Sequence, residues 1–143
     1  MIEIATGTET SVTGIDDEYV FDIAITPDGT KLYVAALSGN IFVIDTATQA
    51  LSTTIAGISQ PYALAVTPDG ATLYAANYDG SETVVIDVAT DAILDVIAVG
   101  TQPNCLAVSP DGALLYVGNS GDTTISIIDV ATNTVTDTIN NNY

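Results

Sequence analysis

The sequence predicts an all-β fold built from β-propeller-type blades. Two motifs recur at nearly constant separation: Pro-Asp-Gly at 27–29, 68–70 and 110–112, and Ile-Asp-x-Ala-Thr at 44–48, 86–90 and 128–132. A period of about 42 residues, with several short strands in each repeat, is typical of stacked blades. No window keeps the 3.6-residue period of a helix, because turn residues interrupt each one.

The middle repeat shows how one unit is expected to fold. Its four strands, named A to D in chain order, are expected at 63–67, 72–77, 83–87 and 92–97. Pro-Asp-Gly supplies the A–B turn, because Pro sets φ, Asp bonds its own backbone and Gly takes a positive φ. Asp79-Gly80 marks the tip of the B–C hairpin. Strand A, apolar in every copy at positions such as Ile23, Leu64 and Leu106, is predicted to line the propeller axis and to be the most buried strand.

The repeat spacing divides the chain into one partial blade and three complete ones. Residues 2–6 stand 42 positions before 44–48, so residues 1–18 are expected to hold the end of a strand C and a strand D remnant. The complete blades are expected at 19–60, 61–102 and 103–143, the last with a short tail. Closed propellers have about four to eight blades, so the ring is predicted to be incomplete in one chain.

Composition excludes several functions. The net charge is −17, Lys31 is the one basic residue, and there is no Arg or His. Nucleic acids and anionic membranes require basic residues, and no apolar run has the ~18–20 residues of a membrane span. The 48% hydrophobic content argues against disorder. Cys105 is alone and has no His to activate it, so a small packing residue near a strand start is expected rather than a disulfide or a catalytic thiol.

Each repeat resembles the YVTN family of β-propellers. The resemblance rests on Ser/Thr-Pro-Asp-Gly, on the Ile-Asp-x-Ala-Thr turn, and on the strand B sequences Tyr-Val-Ala-Ala at 33–36, Tyr-Ala-Ala-Asn at 74–77 and Tyr-Val-Gly-Asn at 116–119. It covers nearly the whole chain. The resemblance implies a microbial surface-layer or surface-antigen type of protein with propellers of about seven blades, located outside the cell or on its surface. Related repeats occur in lactonase-like propellers.

Residues that recur in every repeat are interpreted as structural. Asp45, Asp87 and Asp129, together with Glu3, begin the C–D turn, where a carboxylate can accept amide hydrogens of the following residues. A functional ring of carboxylates is the alternative. The tyrosines of strand B are expected to pack in the core or between blades, with their hydroxyls reaching a partner at the edge. They are Tyr33, Tyr74 and Tyr116.

Non-repeated acidic residues are better site candidates, since the fold does not require them. They lie in D–A and B–C connections, which open on the same face of a propeller, and they are Asp16, Asp17 and Glu18, Asp79 with Glu82, and Asp122. Converging carboxylates could hold Ca²⁺, which takes six to eight oxygens, although the spacing matches no EF-hand loop. A solvated acidic rim is the default interpretation. No other cofactor is indicated, since phosphate loops, nucleophile elbows and Cys/His metal spacings are absent from the sequence.

These observations predict a non-catalytic structural or interaction module that self-associates through its open blade faces, as a homo-oligomer or a polymer. A protein or glycan partner is also compatible with the sequence. The alternative is a piece of a larger propeller with lactonase-like hydrolase or ligand-binding activity, although such an enzyme would need metal-binding carboxylates or a His/Arg set. An excised fragment would also explain why Met1 falls inside a strand.

Overall fold

A computed structural model describes residues 12–15 and 18–140. These residues form twelve strands: β1 (Val20–Ile25), β2 (Lys31–Ala36), β3 (Ile41–Asp45), β4 (Ala50–Ile55), β5 (Pro61–Val66), β6 (Thr72–Asn77), β7 (Glu82–Asp87), β8 (Ala92–Ala98), β9 (Pro103–Val108), β10 (Leu114–Asn119), β11 (Thr124–Asp129) and β12 (Thr134–Asn140).

The strands form three four-stranded antiparallel sheets, each built from consecutive strands: β1 to β4, β5 to β8 and β9 to β12. We call these sheets blades 1, 2 and 3. The predicted all-β fold of propeller-type blades is confirmed. Within the described residues no helix is long and apolar enough to cross a membrane.

The blades share one register, which fixes which residues are counterparts. The first strand of each blade pairs with the second through Val20↔Ala36, Pro61↔Asn77 and Pro103↔Asn119, and a bulge lies beside each of these pairs. Every position of one blade therefore has a defined counterpart in the other two.

The Pro-Asp-Gly turns close as expected. Thr26 donates its hydroxyl to Asp28 Oδ1 at 2.6 Å, the Thr30 amide donates to the same oxygen at 3.0 Å, and Gly29 has φ 73°. These hydrogen bonds hold the pKa of Asp28 below its ordinary value. The same turn recurs at Asp69 and Asp111.

Apolar side chains from facing sheets form the core between blades. Blade 1 presents one face, with Tyr33, Ile41 and Val43, to the facing side of blade 2, with Leu73 and Ile86. Blade 2 meets blade 3 in the same way through a second cluster of Tyr74, Val85, Ile97, Leu115, Val117 and Ile128. We call the side of a blade that faces the next blade its forward face, and the opposite side its rear face.

The expectation that strand A is the most buried strand is wrong. The second and third strands of blades 1 and 2 are the most enclosed, whereas Ile23 and Ile25 of β1 are 58% and 56% exposed. Their blade 2 counterparts, Leu64 and Val66, pack in the core between blades 1 and 2. Strand A lies at the inner edge of each sheet, so its burial depends on the strand A of a neighbouring blade.

The short segment 12–15 packs on the rear face of blade 1. Val12 and Ile15 lie against a buried cluster that includes Val34 and Phe42. Gly14 has φ 99°, close to the 93° of Gly57 in the connection between β4 and β5. Both glycines are followed by Ile, so the segment has the local form of a D–A connection. The rest of the partial blade expected at 1–18 lies largely outside the described residues.

Candidate functional site: an aromatic cluster among acidic loops

The repeated aspartates of the C–D turns act structurally, as predicted. Asp45 Oδ1 accepts the amide of Thr48 at 2.7 Å and its hydroxyl at 2.8 Å. Asp87 with Thr90 and Asp129 with Thr132 make the same pair of bonds. Each of these carboxylates caps its own turn, and the bonds lower the pKa of Asp45 and of Asp87.

The repeated tyrosines connect neighbouring blades. Tyr33 of blade 1 is buried and donates its hydroxyl to Asp91 Oδ1 of blade 2 at 2.8 Å, while Lys31 Nζ pairs with Asp91 Oδ2 at 2.8 Å. Burial and this hydrogen bond raise the pKa of Tyr33 far above its ordinary value. Tyr74 of blade 2 donates to Asn133 Oδ1 of blade 3 at 3.2 Å. The inter-blade role predicted for these residues is therefore present at both junctions.

Asp122 in the β10–β11 hairpin holds two loops together. Its Oδ2 accepts the amide of Thr101, in the connection before β9, at 2.9 Å, and its Oδ1 accepts the hydroxyl of Thr124 at 2.6 Å. The Thr124 bond and then the Thr101 bond lower the pKa of Asp122. Both oxygens of this predicted metal candidate thus have protein partners.

The other acidic candidates do not join Asp122. Asp79 is exposed at the tip of the β6–β7 hairpin, and Glu82 Oε1 accepts the side-chain amide of Asn77 at 2.8 Å. Asp16 and Asp17 lie outside the described residues. Across 12–15 and 18–140, no three His, Cys, Asp or Glu side chains group as metal ligands would.

A stack of three aromatic rings stands on the same face as these loops. Tyr62, the second residue of β5, has its ring centroid 4.9 Å from that of Phe21 in β1 and 5.3 Å from that of Tyr78 in the β6–β7 hairpin, with interplanar angles of 24° and 29°. All three residues are half-buried. We call Phe21, Tyr62 and Tyr78 the aromatic cluster. It joins β1 of blade 1 to β5 of blade 2. The face on which the D–A connections and the B–C hairpins open is called the hairpin face below, and the aromatic cluster lies on it.

The aromatic cluster belongs to blades 1 and 2 alone. The shared register makes Asn104 the blade 3 counterpart of Tyr62, and Ser120 the counterpart of Tyr78. The backbone confirms the second match, because the amides of Leu37, Tyr78 and Ser120 donate to the carbonyls of Tyr19, Gln60 and Gln102. Blade 3 keeps the fold with small polar side chains at these positions, so the fold does not require the rings.

Sequence reasoning missed the aromatic cluster because it searched the loops for carboxylates only. The available signal was a difference between repeats: aligned on Pro-Asp-Gly, the chain has Phe21, Tyr62 and Asn104 at one position. Because one repeat has a small polar residue at this position, the ring is not a fixed part of the repeat.

Cys105 occupies the position of a small packing residue, as expected from the repeat. It pairs with Gly118, where Ala63 of blade 2 pairs with Ala76. Cys105 is exposed on the forward face of blade 3, beside Tyr116 and Ile125.

Comparisons with known proteins agree with this architecture. The profile of the WD domain, G-beta repeat family matches residues 98–129. Among solved structures, hydrazine synthase from Kuenenia stuttgartiensis is similar with a TM-score of 0.81 and 31% identity, over 98% of this chain and 39% of that chain. U3-55K has a TM-score of 0.79 and 16% identity, over 87% of this chain and 40% of its own. The WD40 repeats of RRP9 have a TM-score of 0.79 and 17% identity, over 87% and 39%.

The chain thus spans about two fifths of the length of the solved structures it matches. The comparison with curated proteins found no match. The last two structures, below 25% identity, support the fold alone. Together with the three blades and the inter-blade tyrosines, these similarities show that the chain is a β-propeller repeat protein.

Proposed function

We propose that this chain is a non-catalytic interaction module of the YVTN surface-layer type, located at the cell surface or outside the cell, that self-associates through its open blade faces. WD40-type propeller modules are generally protein-interaction scaffolds. The observation that carries the self-association is the exposure of the forward face of blade 3.

The forward face of blade 3 repeats a surface that is buried in the other blades. Ile125 is 37% exposed and Ile139 is 48% exposed, whereas Ile97, the blade 2 counterpart of Ile139, is 5% exposed. Tyr116, the counterpart of the buried Tyr33 and Tyr74, is half-buried. Contiguous exposed apolar surface of this kind commonly marks an interaction site.

The rear face of blade 1 is the complementary surface. Its outer half is covered by Val12 and Ile15, while Ile23 and Ile25 on the inner strand remain exposed. In this chain, forward faces pack on rear faces at both internal junctions. Blade 1 of a second copy can therefore pack its rear face on the forward face of blade 3 in the first copy, once the segment at 12–15 has moved off that rear face. Such a head-to-tail contact either closes a ring or propagates as a filament.

Electrostatics opposes this association and supplies a way to test it. A net charge of −17 on each copy repels a second copy at low ionic strength. Salt screens charges beyond about 8 Å at physiological ionic strength, while burial of apolar surface is not weakened by it. Association should therefore strengthen as salt is added, in contrast to association driven by ion pairs.

The test is light scattering at micromolar protein across a salt series, with a variant matched to the repeat. Ile125→Thr introduces the residue that blade 2 has at the counterpart position, Thr83, and Ile139→Ser removes the second exposed side chain. The double variant should stay at single-chain mass while the parent forms larger species. Leu94→Ser, at an exposed position of β8, is the control and should associate like the parent. A parent that stays at 14.7 kDa under all conditions would refute self-association.

A second candidate is a propeller segment of a larger protein with lactonase-like or ligand-binding activity. The similarity to hydrazine synthase, an enzyme by name, over 98% of this chain favours it. With no His or Arg in this chain, such activity would draw catalytic groups from other parts of that protein. Lactone hydrolysis by the isolated chain would contradict the non-catalytic proposal.

A further inference from the structure

We propose that the aromatic cluster binds an Arg- or Lys-bearing peptide segment of a partner protein. This cluster lies on the hairpin face of blades 1 and 2, a different surface from the blade faces through which the copies would associate.

The ring stack is partly exposed, since Phe21, Tyr62 and Tyr78 are all half-buried. Tyr62 is central and covers one face of Phe21 and one face of Tyr78, so each outer ring keeps a face that Tyr62 does not cover. A guanidinium or ammonium group over the face of an aromatic ring is attracted by the ring quadrupole. Two such faces at the ends of one stack suit a segment with more than one basic side chain.

Two exposed side chains lie at the same end of blade 1 as Phe21. Tyr19 is 76% exposed, and the backbone amide of Leu37 donates to the Tyr19 carbonyl at 2.9 Å, which holds the exposed Leu37 beside it. Basic side chains commonly lay their methylene stems along apolar surface while the charged end stays in water. Tyr19 and Leu37 thus provide a place for the stem that a purely acidic surface lacks.

The charge around the aromatic cluster selects a cation. Asp79 directly follows Tyr78 and is exposed. Asp22 directly follows Phe21 and adds negative charge, although its two oxygens accept the amides of Ile23 at 2.9 Å and Leu64 at 2.7 Å. The single basic side chain, Lys31, is already paired with Asp91. A cationic ligand therefore meets attraction from the rings and from a surface of net charge −17, whereas an anionic ligand meets repulsion.

The shared register shows that a blade can form with other residues at these positions. At the positions of Tyr19, Tyr62 and Tyr78, blade 3 has Gln102, Asn104 and Ser120. A set of aromatic side chains kept together on one part of the hairpin face, where the fold accepts small polar ones, fits a binding role.

The experiment measures binding of a flexible Gly/Ser peptide carrying several arginines to the full chain, by calorimetry at about 150 mM salt, where long-range attraction is screened. A matched peptide with citrulline in place of arginine keeps the shape and hydrogen bonding but removes the charge. The test variant, Tyr62→Asn with Tyr78→Ser, introduces the blade 3 residues and leaves the net charge unchanged. Leu94→Ser again serves as the control, and light scattering beforehand sets a protein concentration at which one species is present.

We expect the arginine peptide to bind the parent and the control alike. It should bind the double variant about tenfold or more weakly, because the Tyr78 face is lost and the Phe21 ring loses the Tyr62 ring stacked against it. The citrulline peptide should not bind the parent, the control or the double variant. Equal affinity for parent and double variant would overturn the proposal, since attraction by the acidic surface would then explain the binding. A neutral glucan oligosaccharide that binds through the rings, with no preference for the arginine peptide, would also overturn it and indicate a sugar site.

Discussion

Removing the inter-blade tyrosine hydroxyls one at a time tests whether these contacts hold the blades together. The three tyrosines occupy the same strand position but have different partners. Tyr33 donates to a carboxylate that also pairs with Lys31, and Tyr74 donates to a neutral amide at 3.2 Å. Tyr116 is paired through its backbone in β10, and its hydroxyl has no hydrogen-bond partner among residues 12–15 and 18–140. Replacement of each tyrosine by Phe removes one oxygen and leaves the ring packing in place.

The expected losses follow from the partner. A hydrogen bond to a charged group contributes about 1.5–3 kcal/mol, and a neutral one about 0.5–1.5 kcal/mol. Tyr33→Phe should therefore cost about 2 kcal/mol in the free energy of unfolding, Tyr74→Phe about 1 kcal/mol or less, and Tyr116→Phe close to nothing.

Urea unfolding followed by circular dichroism measures all three, with the slope of each transition checked against that of the parent. Double replacement of Tyr33 and Asp91 should show coupling between the two sites. Equal costs for the three variants, or the largest cost for Tyr116→Phe, would refute the account of blade-to-blade bonding.

Three further outcomes are expected. On the alkaline side, stability should begin to fall near pH 10, the ordinary pKa of tyrosine. The pKa of Tyr33 is raised in the folded chain, so the unfolded chain loses this proton first. Tyr33→Phe should reduce the fall in a pH series of urea midpoints. On the acid side, the pKa values of Asp28, Asp45 and Asp122 are lowered in the folded chain. The stability they contribute is therefore present above about pH 4 and is lost as pH falls through their folded pKa values. Asp45→Ala should flatten this part of the series, and an unchanged slope would contradict the structural role of Asp45 in its turn. Finally, Gly118→Ala should lower the melting temperature, because a Cβ there would lie inside van der Waals distance of Cys105 Sγ; adding Cys105→Ala should restore it, since this recreates the Ala63 and Ala76 pair of blade 2.

Most of the fold could be predicted from the sequence because each local signal recurs. Pro-Asp-Gly and Ile-Asp-x-Ala-Thr carry their hydrogen bonds within a few residues, as Asp28 and Asp45 show. Such turns form in the same way whichever blade surrounds them. The strands between them have lengths that the turn positions determine, and the structure places β6 (Thr72–Asn77) at the predicted residues.

The burial of strand A could not be predicted because it depends on a neighbour. Ile23 and Leu64 have equivalent positions and similar side chains, yet one is exposed and the other is buried. Leu64 packs against blade 1, whereas the described residues place no blade against Ile23. The sequence of one repeat predicts which of its residues are apolar. Whether the two faces of the resulting blade are buried depends on the blades that pack against it.

The same distinction separates the structural residues of this chain from its candidate site. A residue that every blade repeats, such as Tyr33 with its counterpart Tyr74, contributes to the junction between blades. A residue that only some blades carry is not required at every junction, and it is therefore a better candidate for a binding role. Tyr62 and Tyr78 are such residues, because Asn104 and Ser120 replace them in blade 3 with the backbone hydrogen bonds kept. The comparison of counterparts therefore points to the hairpin face of blades 1 and 2, where rings and acidic side chains meet, as the surface through which this propeller segment recognises a partner.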